Sequence, residues 1–366
     1  MRILVNMPSQ YGGKPSGVAR VTFSLLERLL EQTRDDYILR SPWTRAQLPE
    51  NLRDSRLQLI ETPRPRIMVF DVLRQAAVLP ALCRRHGIDV LFNADPFGSP
   101  LGGRRRITLV HDLYFKTIPE QIGWRATLTT DFIFRLMMAG SDQITCVSEA
   151  TRRDLARFYP VAAGKSMTIH SDSTLKIDLE APDGARPVAG PYILAVGNAT
   201  SNKNFALLGK AFARLGRTMP DLHVVHVGRD DAEEIGSMLD DPELKTRLIR
   251  LSGIDDRQLA ALYRHAACLC VPSTYEGFCL PVLEAQQLGC PVVCSNRSAT
   301  PEIAGKGALT FDPADPDSLL AALERLFREP ALADSLREAG YENRALYSWQ
   351  KAADSYAQLF REVSRR

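Results

Sequence analysis

Short apolar and β-branched runs alternate with segments of helical period along the whole chain, and no other feature narrows the possible folds so far. Ile3-Leu4-Val5 leads into a helical pattern over about 17–32. Leu57–Ile60, Val90–Phe92, Ile107–Val110 and Gln143–Val147 are further short strands, with helical patterns around 69–85 and 125–140 between them. Strand, helix, strand is the pattern of parallel pairing, because a parallel return needs a crossover. The rhythm stops over 179–191, where three prolines and two glycines sit without any period, and it then restarts. Tyr192–Val196, Leu222–Val227, Cys268–Val271 and Val292–Cys294 read as strands, with helices near 206–215, 256–265 and 281–288. The expected fold is α/β, with two Rossmann-like doubly wound domains over 1–180 and 192–348 joined by a linker at 181–191. A closing helix is expected over 349–366, from the spacing of Ala352, Tyr356, Leu359 and Phe360. A length of 366 residues agrees, since a single core stops growing near about 300. Ligands of such sheets bind at the carboxyl ends of the strands, so a cleft between the two loop edges is the expected site.

Apolar residues at 45% and charged residues at 24% describe a globular chain rather than a disordered or disulfide-scaffold one. The net charge of +3 is uneven: residues 1–190 hold 26 basic and 20 acidic groups, residues 191–366 hold 20 and 23. Only the N-terminal half would favour an anionic surface. Arg104-Arg105-Arg106 has no interleaved aromatics and runs into Ile107–Val110, so it reads as a solvated strand entry, and no nucleic-acid partner is expected. The helix around 69–85 carries Arg74, Arg84 and Arg85 beside an apolar stripe, which suits either a membrane-surface face or a sheet-packing helix and leaves open a peripheral membrane contact through the N-terminal domain. Seven cysteines cannot all pair, and Cys146, Cys268, Cys270, Cys290 and Cys294 lie in apolar runs, so buried free thiols in a reducing cytoplasm are expected. Cys290 and Cys294 lack the partner pair a zinc site needs. The start at Met1–Val5 has no signal-peptide core and no segment nears about 18 uninterrupted apolar residues, so the expectation is a cytoplasmic protein, at most peripheral at the inner face of the membrane.

The densest chemical signal is the run from Pro272 to Ala285, Pro-Ser-Thr-Tyr-Glu-Gly-Phe-Cys-Leu-Pro-Val-Leu-Glu-Ala, after the strand Cys268–Val271. Pro281 suits the first helical position, which puts Glu284 in the first turn and Glu276 in the loop before it. Backbone N–H groups from Gly277, Phe278, Cys279 and Leu280 could then bind phosphate or hydroxyl oxygens, while the two carboxylates accept from vicinal hydroxyls. Taken alone, Glu284 would read as a complement to the helix dipole and Glu276 as a solvated acid. Lys203 stands at a helix start, where a cation is unfavourable unless an anion sits beside it. Gly12, Gly13 and Gly17 follow the first strand and could approach a diphosphate, and His111 stands at the carboxyl end of Ile107–Val110. Asp315-Pro316-Asp317 has the D-x-D spacing of metal-dependent sugar transferases but precedes a helical run, where a carboxylate is expected as a cap; no metal site is expected.

At Glu276 and Glu284 the chain resembles the retaining glycosyltransferases of family 4, whose hallmark is E-x7-E in the setting PSxxEGFGLPxLEA. Val196-Gly197 with Lys203-Asn204, Gly253 with Leu262-Tyr263, and Pro301-Glu302-Ile303 with Gly305 resemble three more family segments. In the N-terminal half Gly17–Arg20, His111-Asp112-Leu113 and Val147-Ser148-Glu149 are similar to weaker signatures. The resemblance implies a GT-B fold, with the nucleotide-sugar on the second domain, the acceptor on the first, and the closing helix crossing back to the first.

It also implies roles. Glu284 would bind the ribose hydroxyls, Glu276 the sugar ring, Lys203 the diphosphate, and His111 would face the donor sugar, with Gly13, Gly17, Gly197, Asn202 and Gly253 lining the donor. Relatives often carry Arg where this chain has Asn198 or Asn202, so Arg20 or Arg229 would have to supply a second cation. The second glycine of EGFGLP is Cys279 here, which adds a side chain at the donor loop. The implied activity is retaining transfer of a hexose, mannose from GDP-mannose foremost, to a saccharide or lipid-linked saccharide in cell-surface polysaccharide synthesis, with neither metal nor cofactor. Rhamnosyl, glucosyl or galactosyl donors and a nucleotide-sugar 2-epimerase are the alternatives. An oxidoreductase is disfavoured, since neither half has G-x-G-x-x-G after its first strand.

Overall fold

A computed structural model describes residues 1–7, 16–53, 55–63, 68–176, 186–231 and 233–365. The chain divides into two compact units, Met1–Asp172 with Ser348–Arg366, and Ser173–Tyr347. Of the linker read at 181–191, residues 181–185 lie outside the described residues.

In the first unit seven parallel strands stand in the order β3-β2-β1-β4-β5-β6-β7. They are β1 (Arg2–Asn6), β2 (Asp36–Ser41), β3 (Gln58–Glu61), β4 (Val90–Asn93), β5 (Arg105–Val110), β6 (Gln143–Cys146) and β7 (Ser166–Thr168). The helices between them are α1 (Gly17–Gln32), α2 (Glu50–Arg53), α3 (Met68–His86), α4 (Tyr114–Thr117), α5 (Trp124–Gly140), α6 (Glu149–Phe158) and α7 (Pro160–Ala163). Strand order reverses between β1 and β4, which pair from Ile3 with Val90 to Asn6 with Asn93. Crossovers are right-handed, so α3 and α5, which follow steps in one direction across the sheet, share a face, and α1, which follows the opposite step, takes the other.

The second unit holds six parallel strands in the order β10-β9-β8-β11-β12-β13. These are β8 (Tyr192–Val196), β9 (His223–Val227), β10 (Leu248–Leu251), β11 (Cys268–Val271), β12 (Val292–Ser295) and β13 (Ala308–Phe311). Around them lie α8 (Phe205–Thr218), α9 (Pro242–Thr246), α10 (Asp256–His265), α11 (Leu280–Gln287), α12 (Thr300–Ala304), α13 (Pro316–Arg328) and α14 (Pro330–Arg344). Its core joins Ile193 and Ala195 of β8 to Phe205, Leu208 and Phe212 of α8 and to Leu319 and Leu323 of α13. The reversal of strand order falls between β8 and β11, so the loops leaving those two strands flank the place where such sheets hold ligands.

The last helix, α15 (Trp349–Arg365), belongs to the first unit. Its Tyr356 and Phe360 rings lie 5.2 and 5.5 Å from Phe92 of β4, and the Tyr356 hydroxyl meets Thr145 Oγ1 at 3.0 Å. Where the chain returns, the Trp349 N–H donates to Asp172 Oδ2 at 3.2 Å. All seven cysteines are free and buried, the five in apolar runs as expected and Cys83 and Cys279 with them.

Candidate active site

The site is built from three loops of the second sheet. After β8, Gly197 takes φ +129, and after β9 a Cβ on Gly228 would stand 2.1 Å from the Gly197 carbonyl oxygen, so both positions require glycine and the two loops press together. The buried His226 of β9 holds the same carbonyl through Nε2 at 2.8 Å. The chain then makes a 3-10 turn, Ser201–Lys203, and Asn204 in the left-handed conformation (φ 53) starts α8.

The turn delivers Lys203 Nζ to Glu276 Oε1 at 2.6 Å, with the two side chains 19% and 11% exposed. This carboxylate is the anion that a lysine at a helix start calls for. Ser273 donates to the same Oε1 at 2.7 Å, and among the described residues Oε2 takes no hydrogen bond. Burial alone would lower the Lys203 pKa, but the carboxylates of Glu276, in contact, and Glu284, farther off, outweigh it and hold the ammonium above the ordinary lysine value. The lysine therefore stays charged at any physiological pH, with N–H donors to spare beyond the one on Glu276.

Asn202 joins the loops: its Nδ2 donates to the Tyr275 carbonyl (3.1 Å), its carbonyl accepts from Thr274 N (2.8 Å), and its Oδ1 accepts from Thr200 (2.7 Å). The residue expected to touch the donor thus ties the Lys203 turn to the Glu276 loop. Asn198 Oδ1 similarly accepts from the backbone of the exposed Arg229 at 3.1 Å. Ser298, which no sequence pattern marks, accepts from Glu276 N (3.2 Å) and donates to Glu276 O (2.5 Å), pinning that residue's backbone at both ends.

One expectation needs correction. α11 starts at Leu280, with Pro281 at its second position, so Glu284 lies in the second turn rather than the first. Dipole stabilisation fades beyond the first turn, which weakens the reading of Glu284 as a dipole complement. Glu284 is buried at 6% exposure and accepts from the Tyr263 hydroxyl of α10 at 2.9 Å. Burial, and then the Glu284 charge, push the Tyr263 pKa far up, so the phenol remains a neutral donor. Cys279, just before α11, holds φ 82 with a non-glycine side chain, a conformation costing about 1–2 kcal/mol outside glycine. That is the physical reason for a glycine in the family pattern. The thiol is buried, and burial raises its pKa well above the usual value, so it stays protonated. Phe278 is buried with its ring edge-on to Tyr347 at 6.1 Å, Gly277 lies in the loop before it, and Gly253 (φ +72) turns the chain between β10 and α10.

Gly12 and Gly13 lie outside the described residues. Gly17 opens α1 behind the Ser16 cap, and Arg20 lies in its first turn, both in the first unit. His111 follows β5 in that unit, its Nε2 2.8 Å from the Ala94 carbonyl. A carbonyl only accepts, so Nε2 carries the proton and Nδ1 remains an acceptor. Burial lowers the His111 pKa to about 4, partly opposed by the Ala94 bond. The unfolded chain therefore binds the proton first: stability is full above about pH 6.5, declines between there and about 4, and loses on the order of 3 kcal/mol by the lower limit. Denaturant unfolding at pH 7 and pH 5 should show a decline that His111→Gln reduces.

Asp315 caps α13 by accepting from Asp317 N at 3.0 Å, and Asp317 pairs with Arg214. The D-x-D is thus committed to helix capping and an ion pair. Among the described residues no three His, Cys, Asp or Glu side chains gather as metal ligands would, and no helix is long and apolar enough to cross a membrane.

Residues 15–171 match the family described as Glycosyltransferase Family 4, and residues 177–343 match that described as Glycosyl transferases group 1. The chain belongs to the family 4-like glycosyltransferases. The enzyme is 26% identical over 272 residues to O-antigen chain mannosyltransferase B of Escherichia coli, covering 72% of this chain and 71% of that protein. It is also 26% identical over 290 residues to a GDP-mannose:cellobiosyl-diphosphopolyprenol alpha-mannosyltransferase of Komagataeibacter xylinus, covering 76% and 70%. Sucrose-phosphate synthase from Thermosynechococcus elongatus superposes over 99% of both chains with TM-score 0.77 at 20% identity, which establishes the GT-B fold.

Proposed function

We propose that the enzyme transfers mannose from GDP-mannose, with retention of anomeric configuration, to a saccharide or lipid-linked saccharide in cell-surface polysaccharide synthesis. The observation that carries the transferase chemistry is the Lys203–Glu276 pair beside the reversal of strand order in the second sheet. Lys203 gives its remaining N–H donors to the donor diphosphate, where negative charge grows as the anomeric bond breaks. Glu276 accepts from the sugar hydroxyls through Oε2, Glu284 accepts from the vicinal ribose hydroxyls, and His111 presents Nδ1 as an acceptor to the sugar. The C1–O bond to phosphate breaks, the C1–O bond to the acceptor forms on the same face, and the acceptor proton passes to the leaving phosphate oxygen. No protein base is assigned. The choice of mannose rests on the two relatives, both named mannosyltransferases, and the lipid-linked acceptor on the second, whose name includes a diphosphopolyprenol. The reaction takes place at the cytoplasmic side and uses no divalent metal, because Lys203 supplies the counter-charge and both acids of the D-x-D have structural partners.

The test is a screen of the purified chain against GDP-mannose, UDP-glucose, UDP-galactose and dTDP-rhamnose, scoring thermal stabilisation and slow donor hydrolysis with and without EDTA. GDP-mannose at about 100 times its Kd should stabilise the fold by about 2.7 kcal/mol, and EDTA should change nothing. Stabilisation by a uridine or thymidine donor alone overturns the assignment of mannose; loss in EDTA restored by manganese overturns the metal-free mechanism.

A further inference from the structure

Helix α5 turns four large apolar side chains outward: Trp124 (68% exposed), Leu128 (61%), Phe132 (58%) and Leu136 (38%). A spacing of four residues sets them in one slowly winding row, about 18 Å long at a rise of about 1.5 Å per residue. The other side of the same helix, Ile133, Phe134, Met137 and Met138, is buried in a core that also takes Val72 of α3. A helix apolar on both sides is suited to a partner on both sides. On α3, which shares the sheet face with α5, Phe70, Leu73 and Val78 are exposed as well. Leu101 is exposed in the loop whose Pro100 packs against Gly140 at the end of α5.

The charge on these two helices has one sign. Arg74, Arg84, Arg85, Arg125 and Arg135 are exposed, whereas the acids, Asp71 and Asp131, are turned in and paired. Asp71 meets Arg74 at 2.5 Å; Asp131 takes Lys116 at 2.7 Å, Arg135 at 3.0 Å and the Tyr159 hydroxyl at 2.6 Å. Beside the end of α3 a cavity of about 510 Å³ opens between Pro80, Cys83, Arg84, Leu101 and Arg104, combining apolar walls with two guanidinium groups. Apolar rows bearing an aromatic, flanked by cations and with no exposed carboxylate on their own helices, the exposed Glu120 lying in the turn before α5, are complementary to the boundary between acyl chains and anionic headgroups. A second copy of the same face would bring arginine against arginine.

We propose that this face of the first unit seats on a bilayer containing anionic phospholipid, with the Trp124–Leu136 row in the headgroup boundary and the arginines on lipid phosphates. It concerns where the enzyme works and stands whichever sugar is transferred.

The full chain should be sedimented with vesicles of phosphatidylcholine alone and with vesicles containing an equal part of phosphatidylglycerol. Partitioning should be at least about tenfold stronger on the anionic vesicles and should weaken as salt rises. Trp124→Ser/Phe132→Ser should lower it about tenfold or more, and Arg84→Gln/Arg85→Gln by about fivefold per arginine, with thermal stability and nucleotide affinity unchanged. No sedimentation with either vesicle, or equal binding by the Trp124→Ser/Phe132→Ser variant, overturns the proposal. So does a wild-type dimer in light scattering that this variant disperses, because the face would then serve self-association.

Discussion

Lys203→Ala is expected to lower turnover by about two to three orders of magnitude, since removing one preorganised partner from a developing anion costs about 3–4 kcal/mol. The stakes are raised by Asn198 and Asn202, which engage protein partners and offer no charge. The substitution also strands the Glu276 carboxylate that Lys203 meets at 2.6 Å, so part of any loss could come from a displaced acid or a weakened fold. Two further variants separate these effects. Lys203→Met/Glu276→Gln removes both charges and should recover stability relative to Lys203→Ala without recovering turnover. Lys203→Arg keeps the charge but changes its shape and should restore part of the rate. Single-turnover rates with thermal unfolding of each variant check this. A loss below about fivefold in Lys203→Ala, with the fold intact, would mean that another cation clamps the diphosphate, and Arg20 and Arg229 would be the next positions to replace.

Glu284→Gln is expected to weaken free-nucleotide binding by about tenfold to a hundredfold, the effect of losing a charge-assisted hydrogen bond of about 1.5–3 kcal/mol. Glu276→Gln should leave nucleotide affinity within about threefold and depress turnover instead, because its free oxygen is assigned to the reacting sugar. Glutamine is the informative replacement at 284, since alanine would also leave the buried Tyr263 hydroxyl without its acceptor. Tyr263→Phe should weaken nucleotide binding by a smaller factor, through a less firmly held carboxylate. Calorimetry with the free nucleotide reads the first pair of effects and initial rates the second. Equal nucleotide affinity in wild type and Glu284→Gln would remove Glu284 from the ribose.

Much of the architecture was legible in the chain because buried parallel strands leave a local trace. Tyr192–Val196, Cys268–Val271 and Val292–Cys294 are short apolar runs that read as strands, and the structure makes them interior strands of the second sheet. β2 escaped notice although it lies inside the first sheet, because its residues include Asp36, Arg40 and Ser41. Arg40 is buried with Nη1 on Asn6 Oδ1 at 2.8 Å, a satisfaction supplied by strands far apart in sequence. β7, β10 and β13 stand at sheet edges, where exposed or half-buried residues such as Ser166, Arg250 and Thr310 leave no continuous apolar run to read.

At the site, residue type and spacing were enough to single out Lys203, Glu276 and Glu284, since a motif of glycines, prolines and acids around one strand end is a local property. Which groups hold them was not. Lys203 and Glu276 are 73 positions apart, and Tyr263 and Glu284 are 21. Such pairs exist because β8 and β11 are neighbours in the sheet and α10 packs on α11, arrangements that long-range strand pairing creates. Ser298, Asn202 and His226 became support for the site in the same way, and Glu284 moved one position along its helix, into the second turn, because the left-handed Cys279 starts α11 a residue early. The sequence by itself determined the kind of fold and the chemical groups that act, because periodicity and motif are written in neighbouring residues. The tertiary structure alone decided which of those groups share a proton donor, a charge or an exposed face, because those relations arise only when distant segments pack together.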